Sequence, residues 1–241
     1  MSREDLASVL AQVSHELAGE RDETLTATRI CELAVEVVTG CDDATLVLRG
    51  RRGRLVLAAA TSETARRLEE QQLEQDVAHA SGPTIDAFAS PDLVCSDDLG
   101  SEERWPAWTG AARELGVRSM IALPLVSAAA QRTQAVMTLH GRTTGTWSGP
   151  RAEDAVLFAT HAAAALDAAK IITGLESALG TRHQIGLAQG ILMERHGLTA
   201  GRAFAVLQRY SSTRNERLSD VADQVVADVE EAASSAGPPP A

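Results

Sequence analysis

The sequence predicts an α+β chain in which an antiparallel sheet flanked by helices precedes a long connecting helix and a three-helix bundle. Short β-rich runs alternate with helical periods over residues 20–150. Residues 151–179 contain no proline and are rich in alanine, which favours one uninterrupted helix. Three amphipathic segments follow, and such segments bury their apolar stripes by packing together. We therefore divide the chain into residues 1–150 (core 20–150), 151–180, 181–230 and 231–241.

The first domain begins with two predicted helices. Residues 2–18 carry one apolar face and end before Gly19. Asp22 lies where an N-cap is expected, and the apolar residues from 27 to 38 follow a 3.6-residue period.

Five segments of this domain are predicted to be strands. They lie at 44–49, 54–61, 93–96, 117–126 and 134–140, and the Gly-Arg-Arg-Gly of residues 50–53 suits a hairpin between the first two. Helices are predicted between them at 62–79, 84–88 and 106–115. This alternation fits one antiparallel sheet covered by helices.

The connecting helix, residues 151–180, has apolar residues at heptad spacing. Two interpretations are open. Small residues in the seam allow a second helix to come close, which favours a parallel homodimer through this helix. The alternative is that the helix packs on the sheet of its own chain. The seam consists of Phe158, Ala162, Ala165, Ala169, Ile172 and Leu179.

Each of the three C-terminal segments has one apolar stripe at helical spacing. Thr199 and Asn215 lie where N-caps of the second and third helices are expected, and Gly197 is expected to end the first. Residues 231–241 are rich in alanine and proline and are predicted to form a disordered tail. The stripes consist of Ile185, Ala188 and Leu192, then Ala203, Phe204 and Leu207, then Leu218, Val221 and Val225.

These segments resemble the ANTAR domain, a three-helix RNA-binding module of transcription antitermination regulators. The likeness lies in Ile185-Gly-x-Ala188-x-Gly-Ile-Leu-Met193, then Ala203-Phe204-x-x-Leu207, then Ser211-Ser212-x-x-Asn215-x-x-Leu218-x-x-Val221-Ala222. The resemblance implies a dimer whose bundles each hold one hairpin loop of a nascent transcript. A held hairpin prevents the overlapping terminator stem from forming.

The charge distribution agrees with a local nucleic-acid surface. The chain carries a net charge of −11, yet residues 182–217 contain six arginines against two glutamates. Polar side chains that packing does not require are the expected RNA contacts, with Asn215 also suited to helix capping. They are Arg182, Gln189, Arg195, Arg209, Ser212, Arg214, Asn215 and Arg217. Gly186 and Gly190, four apart on one helix, indicate either a tight helix–helix contact or RNA approaching the backbone.

Residues 20–150 resemble the GAF domain, a small-ligand sensor. The likeness lies in the order of short pieces: Asp97-Asp-Leu99, Trp105-Pro106, Ala111 to Gly116, Val117-Arg-Ser119, Ala122-Leu-Pro-Leu125, Gln134-Ala-Val-Met137 and Trp147-Ser148. The resemblance implies a pocket whose candidate residues are Thr84, Asp97, Trp105, Trp108, Ser119 and His140, although the two tryptophans also suit a core. No defined cofactor is expected beyond an unidentified small molecule in this pocket.

Enzyme chemistry is not expected from the residue patterns. The three cysteines (Cys31, Cys41 and Cys95) never form a CxxC pair, and Cys31 lies in an apolar helical stripe. His183 and His196 are thirteen residues apart, which is not the spacing of a helical metal pair, so no metal site is expected.

The leading hypothesis is a cytoplasmic antitermination regulator that binds RNA hairpin loops as a homodimer. The N-terminus lacks the form of a secretory signal, and no apolar run approaches the roughly 20 residues of a membrane span. We expect no membrane partner and no specific DNA. The alternative is a GAF homodimer whose bundle docks a protein; a DNA-binding helix-turn-helix is a weaker third interpretation.

Overall fold

The computed structural model describes residues 22–73, 81–128 and 130–235. These residues form two compact units that divide between Thr173 and Gly174. The helix predicted at residues 2–18 lies outside the described part of the chain, as do residues 74–79 of the helix predicted at 62–79.

The first unit confirms the predicted α+β class, with helices on both sides of one antiparallel sheet. Its helices are α1 (Glu23–Val37), α2 (Glu63–Leu73), α3 (Pro83–Ala89), α4 (Pro106–Glu114) and the first part of α5 (Pro150–His196). Its strands are β1 (Asp43–Arg49), β2 (Leu55–Ala60), β3 (Val94–Ser96), β4 (Ser119–Ser127) and β5 (Arg132–Gly141).

The sheet has the strand order β2-β1-β5-β4-β3, and every neighbouring pair is antiparallel. In the centre, Thr45 of β1 lies opposite Thr138 of β5. On the other side of β5, Met120 of β4 lies opposite His140. Since side chains alternate between the two faces of a strand, Thr138 and His140 share one face of the sheet.

The two faces of the sheet bury different cores. On one face, Leu46 and Met137 pack with Ile30 of α1 and Phe158 of α5 in a large aliphatic cluster. On the other face, Trp108 belongs to a smaller cluster with residues of the short helices and of β4 and β5. This second face carries Thr45, Thr138 and His140, so its core mixes polar and aromatic groups.

Local sequence accounts for two of the boundaries. The Asp22 carboxylate accepts hydrogen bonds from the backbone N–H groups of Thr24 and Leu25, so it is the N-cap of α1 that the sequence predicts. Between β1 and β2, residues Arg51–Gly53 form one 3₁₀ turn in which Arg52 adopts a φ of 60°.

The heptad seam in the first half of α5 packs on its own sheet. Phe158, Ala162 and Leu166 belong to the aliphatic core, and Ala169 is also buried. The intrachain interpretation therefore holds as far as Ala169, and these residues are not free for a dimer contact.

Helix α5 is also the one helix of the described residues that is long and apolar enough to cross a membrane. Its 18-residue window reaches a mean hydropathy of 1.5, so the expectation that no apolar run approaches membrane length is wrong for this helix. Length and composition alone are weak evidence for a membrane span, because the core helix of a soluble protein passes the same test. Within this window, 39% of the residues are buried inside the structure.

The second unit consists of residues 174–196 of α5, then α6 (Ala200–Arg214) and α7 (Leu218–Ser235). The three helices meet at Ala188, Leu207, Val221 and Ala222, all of which are buried. Phe204, which the sequence places in the apolar stripe of α6, is only partly buried. The core of the bundle is therefore small and made mostly of aliphatic side chains.

The helix ends in this unit differ in part from the prediction. Helix α5 stops at His196, and Gly197 takes a φ of +62°, as expected for a glycine that ends a helix. Asn215 is not an N-cap: with φ 54° and ψ 36° it is the left-handed C-cap of α6, because α7 starts only at Leu218. Helix α7 also extends to Ser235, five residues into the predicted tail.

Candidate functional site

A network of buried polar side chains lies on the second face of the sheet. Thr45 Oγ1 and Thr84 Oγ1 each donate to Glu69 Oε1 at 2.9 Å, and Gln72 Nε2 donates to Glu69 Oε2 at 3.2 Å. Thr84 Oγ1 lies 3.0 Å from Thr138 Oγ1. We call these five residues the Glu69 cluster. All five are buried. The Glu69 carboxyl group thus accepts three hydrogen bonds inside the protein, from Thr45 of β1, Thr84 of α3 and Gln72 of its own helix α2.

Burial raises the pKa of the Glu69 carboxyl above its ordinary value, because the charged form loses its hydration. The hydrogen bonds from Thr45, Thr84 and Thr138 act in the opposite direction. The direction of the net shift shows that loss of water outweighs these donors.

His140 lies on the same face and is almost fully buried. Neither of its ring nitrogens has a hydrogen-bond partner among the described residues. Burial lowers the pKa of His140 to about 4, although Asp43 on the neighbouring strand acts to raise it. At neutral pH the imidazole is therefore uncharged. The centre of its ring lies 6.4 Å from the centre of the Trp108 ring.

The six candidate pocket residues do not form one site. Thr84, Trp108 and His140 lie on the second face of the sheet, which carries the Glu69 cluster. There Trp108 Nε1 donates to the Leu68 carbonyl at 3.3 Å. Trp105 stacks edge-on to Trp108 at 6.2 Å.

The other polar groups of that set contact helix α3 or the loop after β5. Trp105 Nε1 donates to Asp86 Oδ2 at 2.8 Å. Asp97 Oδ1 accepts from the Trp147 backbone N–H at 2.6 Å, and Ser119 Oγ donates to the Thr143 carbonyl at 2.7 Å. Asp97 and Ser119 thus hold the loop that follows β5.

Sequence reasoning missed Thr45, Glu69, Gln72 and Thr138. One signal was present in α2, a largely polar helix. Its buried residues are Ala65, Leu68, Glu69 and Gln72, at the i, i+3, i+4, i+7 spacing of a core-facing stripe. Glu69 and Gln72 therefore occupy positions that normally hold apolar residues, which marks them as a buried polar pair.

The three cysteine thiols are poor nucleophiles at neutral pH. Burial raises the pKa of Cys31 and of Cys41 far above the ordinary value, and it raises the pKa of Cys95 to about 11. Since the thiolate is the reactive form, all three are suppressed at neutral pH. Among the residues that the structure describes, no three His, Cys, Asp or Glu side chains are grouped to hold a metal ion.

The second unit exposes most of the predicted RNA-contact residues. Gln189 is the exception: it is half-buried, and its Nε2 donates to the Ala200 carbonyl at 3.2 Å, which joins α5 to the start of α6. The exposed residues are Arg182, Arg195, Arg209, Ser212, Arg214, Asn215 and Arg217.

Arg214 is the most constrained of these arginines. Its Nη1 donates to Gln224 Oε1 on α7 at 3.0 Å, and its guanidinium lies 5.5 Å from the centre of the Tyr210 ring. A cation held over an aromatic ring at the surface offers both charge and a stacking face.

Gly186 and Gly190 make no tight helix–helix contact within the described chain. A Cβ built on either glycine meets no atom within 4 Å. Packing between the helices of this unit therefore does not explain why glycine occupies these two exposed positions, and approach by another molecule is the interpretation that stays open.

Two family models match the chain, and the gap between their matched ranges lies next to the boundary between the two structural units. A family model for the GAF domain matches residues 20–167, and a model for the ANTAR domain matches residues 173–226. The comparison with curated proteins gave no match.

Solved structures similar to the chain include two GAF domains and one reductase. The GAF domain of a phosphoenolpyruvate-protein phosphotransferase from Coxiella burnetii has a TM-score of 0.54 at 14% identity, covering 70% of this chain and 96% of that one. The corresponding Acinetobacter domain has a TM-score of 0.50 at 12% identity, with 71% and 97% covered. Free methionine-R-sulfoxide reductase from Neisseria meningitidis has a TM-score of 0.52 at 19% identity, with 71% and 91% covered. At such identities the likeness shows the fold alone.

Proposed function

Because the chain belongs to the GAF domain family and carries an ANTAR domain at residues 173–226, we propose that it is an RNA-binding regulator of transcription antitermination. In this proposal the bundle of the second unit binds hairpin loops in nascent transcripts. A bound hairpin keeps the overlapping terminator stem from forming, so that transcription continues. The GAF domain controls whether the bundle can do so.

The concentration of arginine in the ANTAR domain carries this proposal. Six arginines and two glutamates lie between residues 182 and 217 of a chain whose net charge is −11. Five of these arginines are among the expected RNA contacts, and all five are exposed. A basic region on an otherwise acidic protein is typical of a discrete phosphate-binding surface.

We place the small-molecule site of the GAF domain on the face that carries Thr84, Trp108 and His140. The buried His140 supports this placement, because neither ring nitrogen has a hydrogen bond of good geometry among the described residues and only Asp43 acts on the ring electrostatically, whereas buried polar atoms normally have partners. A ligand there would regulate RNA binding only by favouring one of two conformations of the protein, which requires different affinities for the two. Mass spectrometry of the protein purified under native conditions tests whether a small molecule accompanies it.

A homodimer through α5 also belongs to this proposal. Beyond Ala169, the helix exposes Ile171, Leu175 and Leu179, whose side chains are 58%, 60% and 64% accessible. Three large apolar side chains at a spacing of four residues favour contact with a second helix. Sedimentation of the wild type and of a variant with all three changed to Gln tests this contact.

We further propose a cytoplasmic, regulatory and non-enzymatic role. The raised thiol pKa values support the last point, since a cysteine enzyme of the reductase type needs an accessible thiolate. Transcripts under synthesis are found in the cytoplasm of a bacterial cell, where a protein that binds them must work.

The direct experiment measures binding to a pool of RNA hairpins that share one stem and carry randomised loops. Binding should weaken with salt, because arginines that contact phosphates displace counterions. Changing Arg209 and Arg214 together to Ala should lower the affinity and reduce the salt slope by roughly 1–2. The control changes Arg113 and Arg132, exposed arginines of the first unit, and should bind like the wild type. If the wild type, verified as folded, ignores every hairpin at low salt, the proposal is wrong.

A protein-docking bundle is the second candidate function. The exposed Leu187 and Met193 of α5, 43% and 37% accessible, favour it. In that case the affinity for hairpins would be weak, and duplex DNA would compete with them equally, because only general electrostatics would hold either nucleic acid.

A further inference from the structure

A groove with a cavity of about 270 Å³ runs between the helices of the second unit. Its floor is apolar and is formed by Leu192 of α5, Leu207 of α6, and Val221 and Val225 of α7. We call it the bundle groove. Leu207 and Val221 are buried by the bundle itself, so the floor is preformed by the packing that holds the three helices together.

The rim of the bundle groove is polar and carries two arginines. Arg195 of α5 and Arg214 of α6 both line it, and Tyr210 adds a ring that is 49% exposed. Gln224 and Asp228 of α7 also line it. The hydrogen bond from Arg214 Nη1 to Gln224 Oε1 crosses from α6 to α7 and fixes the guanidinium near the Tyr210 ring.

We infer that the bundle groove is the subsite for one unpaired base of an RNA hairpin loop. This inference rests on the RNA-binding function proposed above and adds which part of the loop is held and by which residues. The base enters the groove against Tyr210 and the Leu207–Val221 floor, and Arg195 binds a flanking phosphate. The Gln224 amide already accepts from Arg214 and donates to Glu216, and its second N–H is left to pair with the edge of the base.

The size of the cavity suits a single ring system. Pockets for drug-sized ligands have volumes of roughly 300–1,000 Å³, so the bundle groove, just below that range, has room for one base. Bases in hairpin loops are unstacked and stack readily on tyrosine and on the plane of arginine. An apolar floor with one aromatic wall matches the faces of a base, while an amide and cations match its edge and its phosphate.

Charge distinguishes a base from the other candidate occupant, an apolar side chain of a partner protein. Both fit the floor, but the lining holds two arginines and one carboxylate, that of Asp228, while Glu216 is engaged by Gln224 beside it. An apolar side chain gains nothing from that rim, whereas a nucleotide brings a phosphate that the arginines bind.

The test is a double-mutant cycle between Tyr210 and the loop. From the pool of hairpins with randomised loops, one hairpin that binds tightly is remade with a single abasic site at each loop position. One abasic position should weaken binding to the full-length protein roughly 5- to 160-fold, the range expected when one base–aromatic stack is lost. Tyr210→Ala should weaken the intact hairpin by a similar factor and have little further effect on that abasic hairpin. Tyr210→Phe, which keeps the ring, should restore most of the affinity.

Arg209→Gln is the matched control, because Arg209 is an exposed arginine of α6 that does not line the bundle groove. It should lower the affinity for the intact and the abasic hairpins by the same factor. Circular dichroism verifies that each variant is folded.

If Tyr210→Ala and every abasic site act additively, the base does not occupy this groove, although the RNA-binding function stands. If no hairpin binds, both proposals fail together. If Tyr210→Ala leaves RNA binding intact but abolishes capture of an apolar helical peptide, the groove is a protein-docking site and our inference is wrong.

Discussion

Replacing Glu69 with Gln should remove a pH dependence from the stability of the first unit. The folded state holds the Glu69 carboxyl with a raised pKa, because burial disfavours its charged form. A carboxyl with a raised folded-state pKa contributes most to stability below its unfolded value, and the contribution falls as the pH rises through the folded-state value. Within this window the wild type should lose up to about 1.4 kcal/mol of unfolding free energy per pH unit.

The size of the effect follows from the three hydrogen bonds. In the Glu69→Gln variant, the amide oxygen can take the place of Oε2 and accept from Gln72 Nε2, while the amide NH2 group donates to the Thr45 and Thr84 hydroxyls, which can also accept. Because all three contacts are kept, the variant should have an unfolding free energy within about 1 kcal/mol of the wild type at low pH. As the pH rises, the unfolding free energy of the wild type falls and that of the variant does not, so the variant should become the more stable of the two.

Urea denaturation from about pH 5 to about pH 8, followed by tryptophan fluorescence, measures this difference. All three tryptophans lie in the first unit, so the signal reports its unfolding alone. Glu103→Gln, at an exposed position of the same unit, is the control and should leave the slope unchanged. His140 contributes an opposite slope between its folded-state pKa of about 4 and its ordinary value of 6.5, but that slope is common to both proteins and cancels in the difference. A difference that stays constant with pH would refute the assignment of the raised pKa to Glu69.

Two further predictions concern the exposed glycines and the thiols. Gly186→Ala and Gly190→Ala should each stabilise the second unit by roughly 1 kcal/mol in thermal unfolding, because nothing occupies the space of the new Cβ and alanine favours a helix. If RNA approaches the backbone there, the same variants should bind hairpins less tightly, and unchanged affinity would contradict that approach. Alkylation of the native protein, mapped by mass spectrometry, should modify the half-buried Cys95 before the buried Cys31, and the reverse order would contradict the burial seen here.

Most of the fold could be predicted because hydrophobic periodicity and the residues of turns and caps depend on the local sequence alone. Strands β1 and β5 appear in the sequence as β-rich runs, and their ends shift by at most two residues in the structure. The N-cap at Asp22 needed only a carboxylate before an apolar helical stripe. Features of this kind depend on neighbours within a few residues and do not require knowledge of the tertiary structure.

The errors arise where tertiary contacts decide between two locally acceptable interpretations. Asn suits both an N-cap and a left-handed C-cap, and Asn215 takes the second role because α7 begins three residues later. The seam from Phe158 to Ala169 has the spacing of a coiled coil, but its buried residues pack on the sheet of the same chain. The Glu69 cluster joins residues up to 93 positions apart in sequence, from Thr45 to Thr138, so no local pattern could assemble it.

The charge of α7 restricts which helices of the second unit can face a polyanion. Helix α7 contains five acidic residues and no arginine or lysine, whereas α6 contains three arginines and no acid. If the second unit binds RNA as proposed, repulsion from α7 should keep phosphates on the α6 side and on the end of α5 that carries Arg195. The bundle groove lies at this boundary, because its lining includes Arg195 of α5, Arg214 of α6 and Asp228 of α7. A nucleotide bound there has one favourable orientation, because reversing it would place its phosphate against the carboxylates of α7.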